Sequence, residues 1–269
     1  MNERIYEIFT ACFPYLNISK EDFLLDCDLN DSQIIFEKNE EGETIGFCII
    51  KNECLSLLCI LPQYQKQGYG SDLLKKAEAS ILANGLDQVR LGYSDETSIL
   101  FGVPLIANNL DFFAKRGYDD DFVTYDYALP LIEDVESNDQ LTISQINDNT
   151  IDLFFEFLKA KNHLLYDKYI ILNNIKFLIA RQESDIEGLC AYKTGQIADK
   201  NFFEIYDLIS FPNYNTTIKK QLLQECSNIA KANNCSELII KNVSNGKFYS
   251  QNFAGKMKIK YWRGSKPCR

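Results

Sequence analysis

The stretch from Leu55 to Asn84 limits what this chain can fold into more than any other. Leu55-Ser-Leu-Leu-Cys-Ile-Leu-Pro62 is apolar enough for a buried strand, and Gln65-Lys66-Gln67-Gly68-Tyr69-Gly70 is a glycine-bearing turn. From Ser71 to Asn84 the apolar residues Leu73, Leu74, Ala77 and Ile81 recur at helical spacing. A strand that empties into such a turn and continues as a helix leaves unpaired backbone N–H groups at the helix start, where they attract an anion. Gly68 and Gly70 let the backbone approach a phosphate without a Cβ in the way. The helix dipole adds about 0.3–1 kcal/mol per anionic contact. The pattern predicts a diphosphate cradle. A Walker-type loop does not fit, because no Gly-Lys-Ser/Thr follows the turn, and a three-glycine dinucleotide fingerprint is incomplete.

Around this stretch the pattern predicts helices at Arg4–Phe13 and after Ser19, where Ser19-Lys-Glu-Asp22 resembles a capping box. Three strands are expected at 33–37, 44–51 and 54–61, joined by connections short enough for antiparallel hairpins. Asn84-Gly85 closes the helix after the turn. Gln88–Tyr93 follows as a strand parallel to the one before the turn, since a helical crossover joins them. A helix at 107–116 closed by Gly117 and a last strand at 122–129 complete the first half. The same order of elements then repeats. Pro62, Tyr64, Leu73 and Val89 correspond to Pro212, Tyr214, Leu223 and Ile239 at one constant separation of 150 residues, and Gly46 and Cys48 match Gly188 and Cys190. The expected organisation is a domain at 1–130, a polar linker at 131–139 and a second domain at 140–269. The fold class is α/β (α+β), each half a mixed, mostly antiparallel twisted sheet with helices on both faces.

Charge and composition narrow the function. The net charge of −10 argues against nucleic acid, whose phosphates demand basic patches. The acidity sits in residues 1–130, with 10 Lys and Arg against 22 Asp and Glu, and an acidic field attracts cationic substrates such as amines. No apolar run approaches the roughly 20 residues of a membrane helix. The start, Met1-Asn2-Glu3-Arg4, has no long apolar segment behind it, so a cytoplasmic protein without a secretory signal is expected. Nine cysteines include no C-x-x-C pair, and His163 is the only histidine, so no metal site is expected. Cys48, Cys54, Cys59 and Cys190 lie inside apolar strand patterns and read as small hydrophobes.

The loop Gln65-x-x-Gly68-x-Gly70, with its flanking strand and helix, resembles the signature of the GNAT superfamily of acyl-CoA-dependent N-acyltransferases. The resemblance covers roughly residues 1–130. It implies acetyl-CoA as cosubstrate, with Gln65, Lys66, Gln67, Gly68, Tyr69, Gly70 and Ser71 on the diphosphate. It also implies that Cys59, Ile60 and Leu61 hold the pantetheine and thioester through their backbone. The implied activity is transfer of an acetyl group to a primary amine by direct attack in a ternary complex.

Such a reaction needs a base, an oxyanion donor and a route for the leaving thiolate. The backbone N–H of Leu61 or a neighbour is the expected oxyanion donor. Glu53, Asp95 and Glu96 are the candidate bases. Family members often carry a tyrosine four residues before the Gly-Phe that ends the last helix, and Phe113 stands there in this chain. The asparagine often found seven residues earlier is Ile106. Tyr93, Tyr118 and Tyr125 are the alternative acids, with Tyr118 the nearest in sequence; otherwise the thiolate leaves unaided. In the second half Asn215, Ile218 and Lys220 replace Gln65, Gly68 and Gly70, so it is expected to bind no coenzyme A and to play a structural part. Phe248-Tyr249 and Tyr261-Trp262-Arg263 read as packing. A non-catalytic acyl-CoA-binding module remains the alternative to an enzyme. A monomer that acts as its own pseudo-dimer and a homodimer are both compatible with the duplication.

Overall fold

The computed structural model describes residues 2–16, 18–27, 32–51, 54–92, 102–104, 110–133, 135, 139–146, 154–155, 175–183, 185–197, 199–211 and 215–267. The chain divides into two compact units, residues 1–124 with 260–269, and residues 125–259.

The first unit opens with α1 (Asn2–Cys12) and α2 (Lys20–Cys27), followed by β1 (Gln33–Lys38), β2 (Thr44–Lys51) and β3 (Cys54–Ile60). The N-cap half of the expected capping box forms: the Ser19 hydroxyl accepts from Asp22 N at 3.1 Å, and it donates to the Asp22 carboxylate at 2.6 Å. β1 and β2 pair antiparallel from Gln33↔Ile50 to Lys38↔Thr44, and β2 and β3 from Gly46↔Ile60 to Lys51↔Cys54, as the short connections required. A 3-10 turn at Pro62–Tyr64 leads to α3 (Tyr69–Ala83), capped by Asn84. α3 buries Leu73, Leu74, Ala77 and Ile81, its large aliphatic side chains contributing about 1.5–3 kcal/mol each. β4 (Gln88–Leu91) returns parallel to β3, and β5 (Val103–Pro104), α4 (Leu110–Ala114) and the start of β6 (Asp119–Pro130) follow.

The second unit holds the rest of β6, then β7 (Leu141–Gln145), β8 (Lys176–Gln182), β9 (Asp185–Ile197), β10 (Lys200–Ser210), α5 (Thr216–Ala232), β11 (Glu237–Val243), α6 (Lys247–Phe253) and the start of β12 (Lys256–Pro267). β7 to β10 form an antiparallel meander, and β11 runs parallel to β10, the order expected of a repeat. α5 packs Ile218, Leu222, Leu223, Cys226 and Ala230 into the core of this unit. Cys190 and Cys226 meet there with their Sγ atoms 3.4 Å apart, free thiols acting as small apolar groups. The sequence pattern also predicts a helix at 150–161, which lies almost wholly outside the described residues.

The ends of the units differ from the sequence reading, which closed the first half with the strand at 122–129. Residues 125–130 of that strand pair antiparallel with β11 in the second unit, from Tyr125↔Val243 to Pro130↔Glu237. The place beside β4 is taken by residues 264–267 of β12, in antiparallel register from Gly264↔Leu91 to Pro267↔Gln88. A strand pattern states which face is apolar and not which neighbour it joins, so the exchange is invisible locally. It brings Trp262, only 1% exposed, into the core of the first unit with Leu73, Leu74, Val89 and Phe113. No helix among the described residues is long and apolar enough to cross a membrane.

Candidate functional site

β3 and β4 pair only at Cys54↔Arg90 and Leu55↔Leu91, with Gly92 N reaching the Leu55 carbonyl at 3.5 Å. Beyond that point a cavity of about 560 Å³ opens between them, lined by Ser56 to Leu58 and Ile60 of β3, Leu91 and Gly92 of β4, and the glycine turn. Cys12 and Phe13 at the end of α1 and Phe112, Phe113 and Arg116 around α4 complete its wall.

The turn is open at the helix start. Gly68 is the N-cap of α3 with φ 101°, and no side chain caps the helix. Its carbonyl accepts from Ser71 N at 2.8 Å and Asp72 N at 3.1 Å. Among the described residues no backbone acceptor meets the N–H groups of Lys66, Gln67, Gly68, Tyr69 and Gly70. Consecutive unpaired donors at a helix N-terminus suit a diphosphate or similar anion. The two glycines serve different ends. A Cβ on Gly68 would meet nothing within 4 Å but would sit on a left-handed backbone, whereas a Cβ on Gly70 would make ordinary contact with Phe112 at 3.6 Å. Gly68 is therefore needed for conformation, and Gly70 leaves room above the helix.

The remaining loop residues hold the turn in place. Gln65 Nε2 donates to the Ile60 carbonyl at 2.8 Å, tying the loop to the strand end, and Gln67 Nε2 donates to the Gln63 carbonyl at 2.8 Å. Lys66 takes φ 61° and faces the cavity, and the Tyr69 ring stands edge-on to Tyr64. Ser71 accepts a hydrogen bond from Arg116.

Arg116 is the residue that sequence reasoning missed. Its Nη1 donates to the Phe112 carbonyl at 2.6 Å and its guanidinium lies 3.9 Å from the Phe112 ring centroid. It has no carboxylate partner among the described residues, so a fixed cation stands beside the open helix start. The signal was available: an arginine directly before Gly117, the glycine that ends the helix.

At the strand end the backbone sides are settled by pairing. Leu61 N–H donates to the Ile45 carbonyl at 2.9 Å, so the expected oxyanion donor is already committed to β2. Antiparallel alternation turns the polar groups of Cys59 the same way and those of Ile60 toward the gap. The Ile60 carbonyl there meets Gln65 and, at 3.2 Å, the Cys12 Sγ.

Of the candidate bases, Glu53, Asp95 and Glu96 lie outside the described residues, as does Tyr93. Tyr118 is described and 3% exposed, and it does not line the cavity. Its hydroxyl donates to Glu78 Oε1 at 2.9 Å, and Lys266 Nζ holds the same oxygen at 3.0 Å. Tyr125 belongs to the second unit. Phe113 lines the cavity with a ring stacked on Trp262 at 6.2 Å and edge-on to Tyr118 at 5.7 Å, which makes the position part of the core. Among the described residues no group of three or more His, Cys, Asp or Glu side chains is placed to hold a metal ion.

Residues 30–120 match the acetyltransferase (GNAT) domain family. Comparison with curated proteins finds no match. Among solved structures, a GCN5-related N-acetyltransferase from Sphaerobacter thermophilus shares the fold at a TM-score of 0.64 and 16% identity, over 98% of this chain and 91% of that one. A tandem GNAT protein from the clavulanic acid biosynthesis pathway does so at 0.68 and 10% identity, over 98% and 95%. The GCN5-related glucosamine N-acetyltransferase region of a fungal multidomain GH3 β-N-acetylglucosaminidase aligns at 0.73 and 17% identity, over 98% of this chain, which spans only 36% of that longer protein. The fold is thus that of the acetyltransferases. Residues 30–120 carry the match to the GNAT domain, and the chain shares the fold of GNAT acetyltransferases, a tandem one among them.

Proposed function

We propose that this chain is an N-acetyltransferase that moves an acetyl group from acetyl-CoA to a primary amine by direct attack in a ternary complex. The observation that carries the reading is the run of unpaired N–H groups at residues 66–70, opening onto the gap between β3 and β4. In this reading Lys66 to Ser71 hold the diphosphate, with Arg116 adding a fixed positive charge, and Gln65 keeps the loop on the strand. The pantetheine arm runs along the gap-facing backbone at Ile60, and the acyl end reaches the mostly apolar stretch lined by Leu57, Leu58 and Leu91.

Glu53, Asp95 and Glu96 remain the bases to test. The acceptor is an amine, favoured as a cation by the acidic first half. A fungal relative of the same fold is described as a glucosamine N-acetyltransferase, which places an amino sugar in the panel beside a polyamine, an aminoglycoside and a lysine peptide. One observation favours a second reading, a binding module without turnover: Phe113 cannot donate a proton, and the Tyr118 hydroxyl is bound to Glu78. Loss of thioester absorbance across the panel separates the two. Consumption with at least one amine supports the enzyme. A rise in Tm with acetyl-CoA but no consumption supports the module, and no rise at saturating acetyl-CoA overturns both.

A further inference from the structure

We propose that the gap between β10 and β11 in the second unit binds a free amino acid, its carboxylate on Lys219 and its ammonium on Asp207. The inference concerns the second unit alone and does not rest on the acyl-transfer reading.

The two gaps share a frame and differ in what lines it. β3 slips out of register with β2 at Ser56, and β10 with β9 at Tyr206, the residue 150 positions later. An extra residue at such a point bends the strand. Gly92 after β4 and Asn242 in β11 correspond at the same separation, and both take left-handed backbone, with φ 69° and 57°. Within this common frame, Leu57 and Leu91 in the wall of the first gap give way to Asp207 and Lys241 in the second. A gap kept only for structure would be filled by apolar side chains, since taking a charge out of water costs on the order of several kcal/mol. This one stays open at about 420 Å³, within the roughly 300–1,000 Å³ of small-ligand sites.

The two cations of the wall differ in their duties. Lys241, with a side chain only 9% exposed, is held by Asp126 at 2.6 Å and Glu204 at 3.7 Å, and the Tyr206 hydroxyl donates to Glu204 at 2.9 Å. Asn242 N donates to the same Asp126 at 3.2 Å. That network neutralises Lys241 and fixes one side of the cavity. Lys219 lines the cavity from the first turn of α5, half-buried and with no carboxylate partner among the described residues. A cation there opposes the helix dipole by about 0.3–1 kcal/mol, and an anion bound beside it reverses the sign. Burial pulls the Lys219 ammonium below the usual lysine value, with no neighbouring charge to offset it.

Asp207 lines the cavity from β10, and Tyr249 of α6 lines it near this carboxylate. Burial first, and then the charges of Cys190 and Asp207, push the Tyr249 hydroxyl above its ordinary value, so it stays a hydrogen-bond donor. No carboxylate acts on Lys219, so Asp207 and Lys219 face the same cavity from separate places. A ligand that serves both carries an anion and a cation close together and is small enough for the space. A free amino acid has both groups on one carbon. A peptide holds its two ends far apart, and a simple carboxylate or amine supplies one group only.

The test is a thermal-shift screen of the full chain with each standard L-amino acid, followed by calorimetry on those that raise Tm. At least one is expected to bind. Its methyl ester, which lacks the carboxylate, and its N-acetyl derivative, which lacks the ammonium, should each bind about tenfold more weakly or worse. Lys219→Met keeps the aliphatic stem and Asp207→Asn keeps the shape, and each should lose about tenfold in affinity for the free amino acid. Lys219→Met should not lower the Tm of the unliganded protein. Failure of every amino acid to raise Tm overturns the proposal. Equal binding of the N-acetyl derivative overturns it in favour of a plain anion site, and equal binding of the methyl ester in favour of an amine site. Unchanged affinity in either variant would put the amino acid elsewhere in the molecule and overturn it as well.

Discussion

α3 and α5 occupy the same place in two copies of one scaffold, and they begin in opposite ways. α3 starts at a left-handed Gly68 with no side-chain cap. α5 starts at Asn215, whose Oδ1 accepts from Ile218 N at 3.3 Å. The residues that form the open turn in the first unit have become the first turn of a helix in the second. Ile218, the counterpart of Gly68, is 3% exposed and lies so close to Gly188 that a Cβ there would come within 2.5 Å of its Cγ2. Yet the gap between the parallel strands survives in both units. β10 and β11 pair only at Glu204↔Ile239 and Ile205↔Ile240, and a cavity of about 420 Å³ opens among Tyr206, Asp207, Lys219 and Asn242. The gap is thus a property of the fold, and in the proposed function the uncapped turn is what would make one of the two gaps a diphosphate site. An Asn cap is worth about 1 kcal/mol. The first unit forgoes that stabilisation and leaves the donors unpaired.

The strongest way to break this contrast is Gly68→Val, which puts a branched side chain on a left-handed backbone at φ 101°. Acetyl-CoA binding by calorimetry should fall by more than about 100-fold, while stability drops by only about 1–2 kcal/mol. Normal binding by this variant would sink the cradle assignment. Arg116→Met comes next: loss of one charge-assisted contact should weaken acetyl-CoA binding by about tenfold, or about 1.4 kcal/mol, with little change in Tm. On the other side of the comparison, Asn215→Ala should lower stability in urea by about 1 kcal/mol and leave acetyl-CoA affinity where it was. Ile218→Val should cost a comparable amount, roughly 0.5–1.5 kcal/mol of stability, with no change in binding. A shift in acetyl-CoA affinity from either change in the second unit would show that its helix start takes part in the site after all.

What the sequence made legible follows from how local each feature is. The open turn before α3 could be read because its requirement falls on consecutive backbone groups and is written in Gly68 itself. The hairpins and α3 could be read from period-two and helical patterns with short connections between them. Cys12 and Arg116 reach the cavity only through tertiary packing. Cys12 closes an amphipathic helix, where a small apolar residue is ordinary, and nothing in its neighbours points to Ile60. The β12 pattern around Ile259, Tyr261 and Trp262 was read as packing, and its partners β4 and β5 lie too far away in sequence to be inferred from it. The commitment of Leu61 N–H to Ile45 depended on strand register, which composition does not reveal.

The pairing of residues 264–267 with β4 bears on how the protein is made as well as on how it stands. During synthesis the first unit emerges early, yet one side of β4 has no strand beside it until nearly the whole described chain has been translated. A half-built sheet with an unpaired edge invites association with other nascent chains. The unit with the glycine turn therefore completes its sheet late, after the second unit has emerged. A fragment cut at the linker would carry the glycine turn without the strand and the buried Trp262 that finish the sheet and core around it.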